Sequence, residues 1–61
     1  MKYSELEKLC KKAGCYWVRD GSNHPIWYSP STGKHFQLSH HKSQEVKTGT
    51  LGKIKKDAGI K

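Results

Sequence analysis

Acidic side chains are scarce in this chain: Asp and Glu make up 5 of 61 residues, against 12 Lys and Arg. The formal net charge is +7 with His neutral. In so small a domain that imbalance is the footprint of a polyanion partner, and nucleic acid comes first among these. The excess is uneven. Residues 31–61 hold 7 Lys against Glu45 and Asp57, while residues 1–30 hold 5 Lys and Arg against 3 acids. Cysteine is equally sparse, with only Cys10 and Cys15. A secreted mini-protein of this length usually carries more, and no apolar leader precedes them, so a cytoplasmic protein with reduced thiols is expected. No apolar run approaches membrane-spanning length, so no membrane role is expected. Hydrophobic residues are 33% of the chain. A domain of this size buries only about 60% of the surface its unfolded chain exposes. This predicts one domain over residues 1–61, a monomer of modest stability without room for a deep cofactor pocket. Repeats and low-complexity tracts are absent, and only Lys61 reads as a tail.

What is present is well punctuated. In "YSELEKLCKKAG", Ser4 and Glu7 stand at the spacing of a capping box. Leu6, Leu9, Cys10 and Ala13 then recur as one apolar stripe, and Gly14 suits the left-handed stop. Cys10, on that stripe, reads as a small core residue. "CYWVRD" has the aromatic and β-branched content of a strand. Strict alternation would turn Cys15, Trp17 and Arg19 one way, and Tyr16, Val18 and Asp20 the other. "GSN" turns the chain, "HPIWYS" is a second strand, and "PSTGK" turns it again. "HFQLS" is a third strand with Phe36 and Leu38 on one face, and "HHKSQE" is a loop. "TGTLGKIKKDAGI" closes as a helix, with Thr48 at its N-cap, Leu51, Ile54 and Ala58 at helical spacing, and Gly59 as its stop. Gly52 costs this helix about 1 kcal/mol relative to Ala, so it leans on tertiary contacts. The order α-β-β-β-α predicts an α+β domain, a three-stranded antiparallel meander with both helices on one face. The other face is left to solvent.

Several chemistries are excluded by spacing. Four His and two Cys invite a metal, but Cys10 and Cys15 straddle a helix end, and no two His share a helical face, so no metal or other cofactor is expected. Asp20, Ser22 and His24 lie within five residues on one turn, whereas triad members converge from separate elements. "TGTLGK" fits neither glycine pattern of a phosphate loop. What remains is an imidazole, His24, in a basic and aromatic setting. RNA is the polyanion for which this suffices, because its 2′-OH is a nucleophile beside the scissile phosphate. Cleavage then needs a base for that proton, an acid for the leaving 5′-oxygen, and cations on the phosphate. Imidazole can serve in either proton role. The other reading is that His24 only binds a phosphate or caps the turn.

Four stretches together resemble a known family: the first helix ending at Gly14, "GSNH" at 21–24, "FQLSHH" followed by "EVK" within 36–47, and "GTLGKIKKDAGI" at 49–60. Across nearly its whole length the chain is similar to HicA-type toxins, the mRNA interferases of HicA–HicB toxin–antitoxin systems. The resemblance implies a double-stranded-RNA-binding-domain-like fold, and metal-independent, ribosome-independent endoribonuclease activity on mRNA with His24 as the catalytic residue. It also implies a HicB-like antitoxin that occludes the RNA-binding face and places acidic groups near His24.

Where the family carries Pro-Arg-His, this chain reads Ser39-His40-His41. His41 matches the family His, while His40 replaces a permanent cation with a titratable one. Pro25 cannot donate to a strand ladder, so the second strand is expected to begin after it or to bulge there, leaving His24 at the rim. Gly21 and Ser22 shape the turn, with Ser22 a candidate phosphate donor. Arg19, Lys34, His41 and Lys47 are candidate phosphate contacts. Trp27 or Tyr28 is a candidate to stack on a base, since only one of these neighbours can face the core. The competing functional classes are a noncatalytic RNA-binding module of the same fold and a purely protein-binding domain.

Overall fold

The hydrophobic stripes and turn signals resolve into five elements. The structure, a computed structural model, describes residues 1–60, so the tail expected at Lys61 lies outside the described residues. It contains α1 (Tyr3–Lys12), β1 (Tyr16–Asp20), β2 (Pro25–Ser29), β3 (Lys34–Gln37) and α2 (Thr48–Ala58). The strands form one antiparallel sheet in the order β1-β2-β3. This is the α-β-β-β-α order, and the α+β class, expected from the sequence. Both helices contribute to a single core: Leu6 and Cys10 from α1, Ile54 and Ala58 from α2, with Cys15, Trp27, Phe36, Leu38 and Val46. α2 lies against β3 and β2.

The helix starts differ from the expected ones, for a physical reason. α1 begins with Lys2 as its N-cap residue, two positions before Ser4. The free N–H groups of its first turn are taken by the loop before α2. Tyr3 N–H donates to the Gln44 carbonyl (3.1 Å), and Ser4 N–H to that of Lys42 (3.0 Å). Lys2 N–H donates to Glu5 Oε1 at 3.3 Å. A long-range contact thus does what the expected Ser4–Glu7 box would have done. Thr48 likewise lies inside α2, and Lys47 precedes it without a side-chain cap.

The helix stops are as expected. Gly14 and Gly59 adopt φ +89° and +76°. Cys15 N–H reaches back to the Cys10 carbonyl at 2.9 Å and Ile60 N–H to that of Lys55 at 2.9 Å, the Schellman arrangement at both ends. The last carbonyls of α2 are also met from the sheet. Ser29 Oγ donates to the Ala58 carbonyl at 3.0 Å, and Thr32 Oγ1 to that of Asp57. The β2–β3 turn therefore holds the C-terminus of α2 against the Ser29 end of the sheet.

The edge strand β1 departs from strict alternation. Trp17 pairs with Trp27 and Arg19 with Ile26, so the register shifts at Val18, which is a bulge. Residues opposite one another share a face, and Trp27 and Phe36 face the helices. Trp17 therefore faces the helix side, while Arg19, opposite Ile26, faces the open side. Asp20, opposite the buried Pro25, returns to the helix side. Arg19 and Asp20 thus stand on the faces opposite to those expected. The bulge brings Trp17 and Asp20 onto one side, and the indole Nε1–H donates to Asp20 Oδ1 at 3.2 Å. In an unbroken strand two residues three apart would face opposite ways, so this bond and the bulge support each other.

Candidate nucleic-acid interface

His24 ends the turn between β1 and β2 and is exposed. Gly21 N–H donates to the His24 carbonyl at 2.7 Å and closes the turn. Glycine at position 21 suits a close approach: a Cβ there would lie 3.1 Å from the His24 carbonyl oxygen and 3.2 Å from Ile26 Cδ1, tight enough that one neighbour would have to shift by a few tenths of an ångström. Among the described residues no side-chain hydrogen bond or ion pair involves His24. Its imidazole is thus free to meet a ligand.

Pro25 directly after it is a paired residue, contrary to the expectation that the ladder begins later or bulges there. It sits opposite Asp20, and its carbonyl accepts from Leu38 N–H at 3.1 Å. The missing Pro N–H affects only the last rung toward β3, where the pairing is ending. The irregularity lies instead across the hairpin, at Val18.

Alternation along β2 puts Pro25 and Trp27 under the helices, and Ile26 and Tyr28 on the open side. His24, in the bend before β2, sits across the turn from Gly21, whose Cβ position faces the open-side Ile26, and so falls on that side. Two cross-strand rows form there. One is Tyr16–Tyr28–His35, and the other is Arg19–Ile26–Gln37. In the first, Tyr16 and Tyr28 meet edge to face with centroids 5.7 Å apart, and Tyr28 and His35 are tilted at 4.8 Å. Trp27 is in the core, which leaves Tyr28 as the partner available for stacking. Tyr16 and His35 were not singled out from the sequence. They become neighbours of Tyr28 only through strand register, which no local pattern displays.

The other candidate residues divide by position. Ser22 is exposed in the turn beside His24, and Arg19 stands two rungs away, opposite Ile26 on the open side. β3 ends at Gln37, and Leu38 pairs with Pro25, so the following loop leaves the sheet at the His24 end. His41 is exposed in that loop, its N–H donating to Ser39 Oγ at 3.0 Å. His40 turns to the helix side, with Nε2 4.0 Å from Asp20 Oδ1. Because α2 is held by its C-terminus at the Ser29 end, its start, with Lys47, lies toward the His24 end. Lys34 is the exception. It pairs with Ser29, about 13 Å along β2 from Pro25, and so is not brought together with His24.

The helix side carries a second concavity. A cleft of about 460 Å³ opens between α1 and the uncovered part of β1, walled by Trp17, Trp27 and Pro25 and rimmed by Glu7, Lys11, His40 and Lys42. Trp17 remains 54% exposed because neither helix extends over the edge strand. At the rim, Glu7 pairs with Lys42 and, at 3.5 Å, with Lys11. Partial burial pushes the Glu7 carboxyl up, but the hydrogen bond and charge of Lys42, joined by Lys11, outweigh this and leave it below the ordinary range. Cys10 is sealed in the core, and burial, with lesser contributions from Cys15 and Glu7, pushes its thiol up to about 12. It is a packing residue, as its position on the stripe indicated. Among the described residues no three His, Cys, Asp or Glu side chains converge as a metal site would need, and no helix is long and apolar enough to cross a membrane.

The sequence profile of a family described as the HicA toxin of bacterial toxin–antitoxin matches residues 3–60. No curated protein and no solved structure matches the chain. The profile spans both helices, the whole sheet and the His24 turn. The chain therefore belongs to the HicA toxin family, the toxin side of a bacterial toxin–antitoxin pair whose counterpart is a cognate antitoxin.

Proposed function

We propose that the protein is an endoribonuclease toxin, an mRNA interferase that cleaves RNA with His24 as general acid or base. The observation that carries this reading is the presentation of His24. The imidazole stands at the exposed end of a closed turn, with no competing protein partner among the described residues, beside Arg19 and Ser22. The RNA brings its own nucleophile, the 2′-OH adjacent to the scissile phosphate. His24 takes the proton of that hydroxyl or supplies one to the departing 5′-oxygen, and Arg19, His41 and Lys47 meet the phosphates. In this reading imidazole moves the proton and the cationic side chains meet the phosphate, in keeping with the metal-independent cleavage that the family resemblance implies. A proton-transfer group of this kind contributes typically about 10²–10⁴-fold. The toxin works in the cytoplasm as a monomer, until a HicB-like antitoxin covers the RNA-binding face and sets acidic groups against His24.

The test is cleavage of single-stranded RNA by antitoxin-free protein in the presence of chelator. Wild type is expected to cut, and His24→Ala to lose about 10²–10⁴-fold in rate while still binding RNA. Intact RNA after incubation with wild type would overturn the proposal. The second reading, a noncatalytic RNA-binding module of the same fold, would bind in this assay without cutting.

A further inference from the structure

We infer that the open face of the sheet is a stacking platform for single-stranded RNA, running along β2 from His24 to the Tyr16–Tyr28–His35 row. The inference rests on the RNA reading above and adds the form of RNA bound and the surface that binds it.

Three observations carry it. The first is the aromatic row itself. It crosses all three strands, Tyr28 is half-buried at its centre, and Tyr16 and His35 are exposed at its edges. The rings stand at 61° and 48° to their neighbours, so a flat base stacks on one ring at a time. The second is charge. Arg19 is on this face only because of the bulge at Val18, and the same bulge removes Asp20 to the helix side. Glu5 and Glu7 lie in α1, Asp57 in α2, and Glu45 pairs with the amino terminus. No carboxylate therefore stands in either open-face row, while Arg19 and the His35 imidazole do, with His24 at the turn beyond them. The third is shape. Against the Arg19–Ile26–Gln37 row lies a hollow of about 370 Å³ bordered by Val18, Arg19, Ile26, His35, Phe36 and Gln37. The Gln37 amide offers a donor and an acceptor to a base edge there.

These features select against a duplex. Paired bases face one another, and an A-form helix offers a protein mainly its phosphates and 2′-hydroxyls. Exposed rings gain nothing from that surface. Unpaired bases have free π-faces, and each one stacked on an aromatic side chain contributes substantially in a sequence-tolerant way. His24 and Tyr28 share the open side of β2 about 13 Å apart along the strand. A strand of RNA held by its bases at the row thus passes its backbone by His24. A duplex would instead look for the lysines of α2 on the other side of the molecule.

The test uses wild-type protein and a ten-nucleotide RNA of mixed sequence with 2′-fluoro groups, which lacks the nucleophile and stays intact. Its affinity is compared with that of the same RNA annealed to its complement. The single strand is expected to bind more tightly. Tyr28→Leu should weaken it about 5- to 100-fold, and Tyr28→Phe should leave it near wild type. Because Tyr28 is half-buried, Tyr16→Leu at the exposed edge gives an independent variant, with a smaller loss expected. Amide NMR shifts on titration should centre on Ile26, Tyr28 and Gln37. Equal or tighter duplex binding, unchanged affinity in well-folded Tyr28→Leu and Tyr16→Leu, or shifts centred on α2 would each overturn the platform. The catalytic reading is judged separately: cutting by His24→Ala defeats that reading and leaves this one standing.

Discussion

Gly59→Ala should destabilise the domain more than Gly14→Ala, and the difference should report how tightly the β2–β3 turn grips α2. Both glycines end helices in the left-handed region, at φ +76° and +89°. For an L-residue that conformation costs roughly 1–2 kcal/mol. At Gly14 a new methyl meets nothing within 4 Å, so the conformational cost is the whole effect. At Gly59 the same methyl would lie 2.6 Å from Ser31 Oγ and 3.2 Å from Thr32 Cγ2. Ser31 can rotate away, but it then leaves Ser29 Oγ, now 3.1 Å distant. Losing that bond adds about 0.5–1.5 kcal/mol, which brings Gly59→Ala to roughly 1.5–3.5 kcal/mol. A domain of this length has about 3–9 kcal/mol in total, so the effect is large. Urea unfolding of both variants, with Ser31→Gly alone and combined with Gly59→Ala, measures it. Ser31→Gly should recover the crowding part and leave the conformational part. Equal losses at the two glycines, or no coupling with Ser31, would refute the docking of the turn on the helix end.

Other perturbations follow from the same geometry. Glu7 has its carboxyl held below the ordinary value of 4.5, so its contribution is present above that value and fades as pH falls through the lower, folded one. Glu7→Gln should therefore lower the melting temperature at pH 7 and narrow the gap to wild type by pH 3; a pH-independent gap would remove the ion pairs as its cause. Cys10 should resist iodoacetamide at pH 8 in the folded state and react once urea unfolds the chain, since it is buried and its thiol is pushed up to about 12. Mass spectrometry of the alkylated peptides decides this, and rapid modification of folded protein would contradict it. Arg19→Gln should weaken RNA binding and reduce the slope of log affinity against log salt by about 1. Lys34→Gln, opposite the buried Ser29 and so on the helix side of the sheet, should change that slope less; the reverse ranking would place the RNA on the other face.

Much of this architecture is written in local chemistry. Helix stops at Gly14 and Gly59 need only a residue that tolerates positive φ, and the strands and turns need only their aromatic, β-branched, Pro and Gly content. The core face of α1 follows from the periodicity of Leu6, Leu9, Cys10 and Ala13, and the exposure of His24 from its place in a polar turn. The "GSNH" and "GTLGKIKKDAGI" stretches carry the family, and the profile match over residues 3–60 agrees.

Contacts between distant segments decided the rest. Ser4 and Glu7 have the spacing of a cap, yet the Gln44 and Lys42 carbonyls take the N–H groups first, and Glu7 is left to pair with Lys42. A pattern within one helix cannot show a competitor some 40 residues away. The bulge at Val18 exists only relative to β2, because an extra residue has meaning only against the partner strand it fails to match. That one residue moves Arg19 to the open face, sends Asp20 to the indole of Trp17, and clears the surface around Tyr28 of carboxylate. Side-chain alternation is a property of one strand and was legible from composition; the face on which a charge ends up is a property of a pair of strands, and only the folded sheet sets it.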